Sequence, residues 1–299
     1  MKAVITYTNC PVCSAATIHE ALIATDHTVS GEQFSIWECA SCTHRFTQSV
    51  PDEANIAPYY KADSYISHSN TSKGLVNTLY HQVRNITLRS KRKLVQSTTN
   101  RTTGQLLDIG AGTGMFAGFM QRSGWQVLGL EPDANARQTA KEVNGISLHP
   151  TDELFDLPAE HFDVITMWHV LEHVHRLQEY MQQLKRLLKP GGVLLIAVPN
   201  YTSFDAQHYG RFWAAYDVPR HLYHFSPASM RTLLKRNDLK LDSIKPMWFD
   251  SFYVSMLSEK CKHGKASLVK GFITGLRSNL KAGKGNNARC SSLIYVIRP

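Results

Sequence analysis

The strongest constraint on this chain is a glycine-rich turn set between two short apolar runs. Gln105–Ile109 reads as a strand, Asp108-Ile-Gly110-Ala-Gly112-Thr-Gly114 follows at once, Met115–Arg122 reads as a helix and Trp125–Leu130 as a second strand ending in Glu131-Pro132-Asp133. A strand, a turn, a helix and a second strand in so little chain define a βαβ unit, and hence a parallel sheet covered by helices. Glycines in the first turn let backbone approach a ligand closely, and the amides opening the helix have no partner within it. A carboxylate ending the second strand, as Glu131 does, suits the two hydroxyls of a ribose.

A dinucleotide fold uses a similar unit. Here, however, counting G-x-G-x-x-G from Gly110 puts Met115 where the third glycine is wanted, and counting from Gly112 reaches Ala117 but starts further from the strand. Asp108 at the strand end also fits that fingerprint poorly. A nucleoside without a pyrophosphate fits this looser turn better.

Three further segments follow in order: Gly129–Asp133, Phe162–Val174 with its Trp168-His169-Val170-Leu171-Glu172-His173 run, and Leu187–Asn200. Together with Leu107–Gly114 they resemble the class I S-adenosylmethionine-dependent methyltransferases over roughly residues 101–246. The resemblance implies an α/β, Rossmann-like sheet of seven strands with the last antiparallel. Leu239–Ile244 and Phe252–Leu257 are the expected late strands, and Ser292–Ile297 is expected to close the edge. It implies that Asp108, Gly110 and Gly112 meet the amino-acid end of S-adenosylmethionine and Glu131 its ribose. Pro132 and Asp152 would border the adenine, and Trp168 and His169 the methionine portion.

In front of this region stand two CxxC pairs, Cys10/Cys13 and Cys39/Cys42. Four thiolates in paired turns suit a tetrahedral zinc ion with no open position, so a structural zinc is expected. So short a segment has little apolar surface to bury, and the metal would supply much of its folding energy. His44 is expected on the surface, and Cys261 and Cys290 show no ligand spacing. The expected organisation is a zinc-knuckle domain over residues 1–50, a helical connector or lid over 51–100 and a methyltransferase domain over 101–299. Leu75–Leu94 has the apolar spacing of a helical face.

Methyl transfer asks the protein to align a nucleophile and remove its proton, and histidine titrates in the right range. His173 follows the fourth strand, and Phe212–Pro227 after the fifth contains His221 and His224. A cysteine-knuckle head before this core also resembles the methyltransferases of nucleotide-linked sugars and related small metabolites. Their histidines match His173 and His221. Where those enzymes carry a glutamate this chain has Arg220, a candidate grip for a substrate carboxylate or phosphate. Quinone-type O-methyltransferases share the Leu-Glu-His-Val run. The candidate bases are therefore His221, His173 and His224, with Asp217, Glu172, Tyr60 and Tyr65 as possible pocket groups.

Lys and Arg number 33 against 24 Asp and Glu, a formal charge of +9. That balance invites an anionic partner, and it keeps open an alternative in which the zinc knuckle and a basic surface bind ribosomal or transfer RNA. The acceptor expected first is a small molecule. A dead scaffold with the same fold is the non-enzymatic reading, which cofactor binding would exclude. No stretch is long enough to cross a bilayer and the start lacks a secretory pattern, so a cytoplasmic protein with no membrane partner is expected.

Overall fold

The computed structural model describes residues 3–61, 75–282 and 289–299. The head holds β1 (Val4–Ile5), β2 (Ile18–Thr25), β3 (Gln33–Cys39), β4 (Arg45–Thr47) and β5 (Val50–Pro51), followed by a single turn at Ala57–Tyr60. Helix α1 (Leu75–Thr99) leads into β6 (Gln105–Ile109), α2 (Met115–Arg122), β7 (Gln126–Leu130) and α3 (Ala134–Asn144). Then come β8 (Phe162–Trp168), α4 (Leu177–Leu187), β9 (Leu188–Pro199), α5 (Phe204–Tyr209), β10 (Tyr223–His224) and α6 (Pro227–Arg236). The chain ends with β11 (Lys240–Pro246), a helical hairpin of α7 (Asp250–His263) and α8 (Leu268–Leu280), and β12 (Ser292–Arg298).

The main sheet runs β11-β12-β9-β8-β6-β7. The pairs β6/β7, β6/β8 and β8/β9 are parallel, and β12 is antiparallel to both β9 and β11. Strands β6, β8 and β9 are near-continuous apolar runs because helices cover both sheet faces and neither face meets water. Among the described residues six ladder strands form, and the seventh position is reduced to one bridge between Leu130 and His149 at the β7 edge. The chain leaves β6 for β7 on one side and returns to β8 on the other. In open sheets of this kind such a reversal is where ligands bind, beyond the carboxyl ends of the strands, here those of β6 and β8.

Two expected late strands differ. Phe252–Leu257 lies inside α7, because Ser251, Ser255 and Ser258 recur at helical spacing and are the residues that face inward. Ser292–Arg298 lies between β9 and β11 with every residue but the last buried, so the edge belongs to β11, whose exposure alternates.

The head is sewn to the larger part. β10 pairs with β4 in a four-stranded sheet of order β10-β4-β3-β2, so the ladder crosses the expected boundary at residue 50. Cys10, Val12, Phe46 and Val50 are buried in one cluster with Leu171, Leu222, Tyr223 and Phe225. Helix α1 packs on the sheet through Val95, buried among Leu106, Phe116, Met120 and Trp125.

Candidate active site

At the end of β6, Gly110 and Gly112 adopt φ of +69° and +55°. A β-carbon at Gly110 would lie 2.3 Å from Val170 Cγ2, so only glycine allows the chain after β8 to pass this close. A β-carbon at Gly112 would meet nothing within 4 Å, which leaves its backbone open at the strand ends. The Gly112 N–H donates to Glu131 Oε2 at 2.8 Å, and the Asp133 N–H to Glu131 Oε1 at 3.0 Å. Glu131 thus ties the turn to the end of β7. Each of its oxygens still has a lone pair for a ligand hydroxyl. Burial raises its carboxyl above the usual range, against these two amides.

Asp108 is 1% exposed, accepts a bond from Thr166 Oγ1 at 2.6 Å, and is pushed up to about 6 by burial. Pro132 and Asp152 are both exposed, Asp152 on the 3-10 turn Thr151–Phe155. Glu131 N–H donates to His149 O at 2.8 Å, which brings the start of that turn beside the ribose candidate.

Trp168 stands edge-on to Phe116, with Lys91 Nζ 4.1 Å above its ring. Its indole Nε1 is buried with no partner among the described residues. His169 has a positive φ of 59° and bridges two carboxylates, with Nδ1 at 3.3 Å from Glu172 Oε1 and Nε2 at 2.7 Å from Asp250 Oδ2. Burial opposes its charge, but Asp250 and then Glu172 outweigh burial and raise it to about 10. Both of its ring nitrogens face carboxylates, which favours the charged ring. Lys91 and Asp250 were not singled out from the sequence. Lys91 is pulled down to about 8 by burial, against attraction from Asp108 and Asp250.

His173 and His221 meet edge to face with ring centroids 4.6 Å apart. His221 Nδ1 lies 2.8 Å from Ala215 O, and a carbonyl can only accept, so Nδ1 carries the proton. That leaves Nε2 unprotonated in the neutral ring, 3.9 Å from Asp217 Oδ2. His173 Nδ1 is 3.0 Å from Arg220 O and 3.1 Å from Tyr60 OH. Burial, then His221, lowers His173 to about 4, so it stays neutral. Glu172 is fully buried, and its Oε2 has no partner among the described residues. Glu172, His173 and His221 each place one ligand atom within 4.8 Å of the others, a donor set suited to a divalent cation.

Three expectations change here. His224 is 3% exposed in the seam between head and sheet, with Nε2 3.1 Å from Thr47 Oγ1, and burial holds it well below its ordinary range. Protonating it would bury a charge, as it would at His173. Arg220 is not a substrate grip: it is fully buried, forked on Asp217 at 2.6 and 3.0 Å, paired with Asp26 at 2.9 Å and bonded to Tyr59 O at 2.8 Å. Asp217 is engaged by the same contact. Tyr65 lies outside the described residues.

In the head, Cys10 and Cys42 sulfurs lie 3.6 Å apart and those of Cys13 and Cys39 3.5 Å apart, with all four within 4.8 Å. A disulfide would need about 2.05 Å. Four thiolates at about 2.3 Å from a shared ion in a tetrahedron lie about 3.8 Å apart, so the residues fit a zinc ion. Val12 and Cys13 N–H both point at Cys10 Sγ, at 3.4 and 3.5 Å, as amides stabilising a thiolate would. His44 is not at the surface. Its ring is wholly buried among Phe46, Tyr223 and Phe225, and burial lowers it to about 3.

A family model described as a methyltransferase domain matches residues 80–244, more than half of the chain. The ubiquinone biosynthesis O-methyltransferase of Xanthomonas oryzae is 28% identical over 160 residues, covering 49% of this chain and 66% of that protein. Its counterpart from Actinobacillus pleuropneumoniae is 30% identical over 175 residues, covering 52% of this chain and 74% of that protein. The match thus spans a little under two thirds of the first relative's length. A solved Pyrococcus horikoshii protein shares the fold at a TM-score of 0.51 and 13% identity, over 79% of this chain and 99% of its own.

Proposed function

This chain belongs to the methyltransferase-domain family, and on that premise we propose that it transfers a methyl group from S-adenosylmethionine to a hydroxyl oxygen of a small-molecule acceptor, with His221 as proton acceptor. The observation that carries the reading is the clasp between Glu131 and the open Gly112 backbone, at the switch point of the sheet. Glu131 holds the ribose hydroxyls, and the backbone at Gly110 and Gly112 with Asp108 receives the amino-acid end. Once bound, the cofactor supplies a methyl group on a positively charged sulfur.

The protein's own work is to position the acceptor and take up its proton. His221 suits this because Ala215 fixes the proton on Nδ1 and keeps Nε2 as the basic nitrogen. His173, held neutral beside it, packs the ring in place. His169, kept charged by Asp250 and Glu172, is a positioning residue at the methionine end rather than a base. Oxygen as the acceptor atom is supported by the two O-methyltransferase relatives. The net charge of +9 is what favours an RNA acceptor, and two basic groups at the head seam, Arg45 and Arg220, are held in ion pairs. The four cysteines hold a structural zinc in this reading.

The test is calorimetry with the demethylated cofactor, followed by methyl transfer to panels of phenols, amines and short RNAs. Uptake of the cofactor product and turnover on a hydroxyl compound are expected. Turnover confined to amines or RNA would reassign the acceptor, and no uptake would remove the activity. His221→Ala is expected to lower turnover by about a hundredfold with cofactor affinity unchanged, and wild-type turnover in that variant would remove His221 as the base.

A further inference from the structure

The helical hairpin between β11 and β12 is packed inside out. α7 buries Ser251, Ser255, Ser258 and Glu259, and α8 buries Gly271, Thr274, Gly275 and Ser278. These small residues bring the two backbones into contact: a β-carbon at Gly271 would lie 2.7 Å from Met256 Cα, and one at Gly275 2.8 Å from Phe252 Cα. The bulky side chains of α8 point outward instead. Leu268, Val269, Phe272, Ile273, Leu276 and Leu280 are 42% to 78% exposed, and Trp248, Phe249 and Tyr253 around the start of α7 are exposed as well. A helix meant for water does the reverse. Small residues inward and large apolar ones outward is how helices pair in apolar surroundings.

The strongly exposed charges on the same hairpin share one sign. Lys260, Lys262, Lys265, Lys270, Arg277 and Lys281 are all exposed, and α8 contains no acidic residue. The two acids of α7 are engaged at its inner side, Asp250 by His169 and Glu259 by the Tyr209 hydroxyl.

We propose that this hairpin docks the protein on an anionic lipid surface, with α8 lying in the headgroup plane, its aliphatic face among the acyl chains and its cations at the phosphates. No described helix is long and apolar enough to cross a membrane, and thirteen residues of α8 span only about 20 Å. The helix therefore lies on the bilayer. Two alternatives fit less well. A second copy in a two-fold pairing would set these cations against themselves. A nucleic acid would neutralise the cations but leave the apolar residues in water. The proposal is independent of which acceptor is methylated.

The experiment is flotation of the full chain with phosphatidylcholine vesicles, with and without phosphatidylglycerol, alongside sedimentation velocity without lipid. Flotation with the anionic vesicles alone is expected, weakened by salt. Leu268→Glu with Leu276→Glu should cut the bound fraction by about tenfold at an unchanged Tm, since both side chains face solvent. Lys265→Glu with Lys270→Glu should cut it as well. Failure to float with anionic vesicles overturns the proposal. Flotation that the leucine variants leave intact also overturns it, because it would be charge adsorption of the kind any polyanion gives. A concentration-dependent dimer that the leucine pair abolishes, without vesicle binding, would assign the face to a second copy instead.

Discussion

Glu131, which is buried, and His169, which keeps a third of its side chain exposed, use charge in two different ways. Glu131 accepts from two backbone amides and retains capacity for a ligand, so removing its charge should be felt in binding. Because hydrogen bonds to charged groups are worth about 1.5–3 kcal/mol, Glu131→Gln is expected to weaken binding of the demethylated cofactor by about tenfold to a hundredfold, as read by calorimetry. His169 is instead bound on both nitrogens by carboxylates, and its folded value is raised to about 10. A raised value stabilises the fold fully below the unfolded histidine value near 6.5 and loses that contribution as pH climbs through about 10. Urea midpoints should therefore fall between these limits more steeply for wild type than for His169→Gln, and parallel curves would show that the ring is not charged. The clasp was legible in the sequence because Gly112 and Glu131 belong to one local βαβ unit. Lys91, Asp250 and the Asp26 partner of Arg220 were not, since each arrives from a distant element and no spacing rule brings them together.

At the level of elements, short apolar runs marked β6 and β7, while the segments that hold β8 and β9 came from the methyltransferase resemblance, and their burial on two faces explains why they are near-continuously apolar. The late strand that the resemblance led us to expect at Phe252–Leu257 is helix instead. In α7 the fully buried side chains are Ser251, Ser255, Ser258 and Glu259 while its apolar ones are only partly buried, so hydrophobic periodicity does not mark the contact that actually forms. Packing through glycine reverses an ordinary expectation about helices. Glycine to alanine inside a helix usually adds about 1 kcal/mol of stability. At Gly275 the new carbon would meet the Phe252 backbone at 2.8 Å, and a backbone cannot rotate away. Gly275→Ala is expected to destabilise the protein by about 1–3 kcal/mol in urea unfolding, the range for overpacking. A gain in stability would mean that the hairpin is loosely held.

Across the whole molecule, the central question is whether the head is an attachment or part of the core. The sequence suggested a zinc knuckle over residues 1–50 set apart from the rest, because its cysteines form a closed set. Nothing local in Tyr223-His224 announces that it will pair with Arg45–Thr47, and that pairing is what joins the parts. Arg220 adds a second seam, buried between Asp26 of the head and Asp217 beside His221. Removing one partner of such a pair leaves an uncompensated buried charge, which costs about 3–5 kcal/mol. If zinc holds the four cysteines, stripping it should therefore not melt a small domain ahead of the rest. Chelation is expected to lower a single cooperative transition and to weaken turnover with it, because Thr47 Oγ1 donates to His221 O at 2.7 Å and Arg220 O meets His173. Differential scanning calorimetry with and without chelator separates the cases. Two resolved transitions, with the upper one unmoved by metal removal, would show that the head folds by itself and that the seam transmits nothing to the histidine pair.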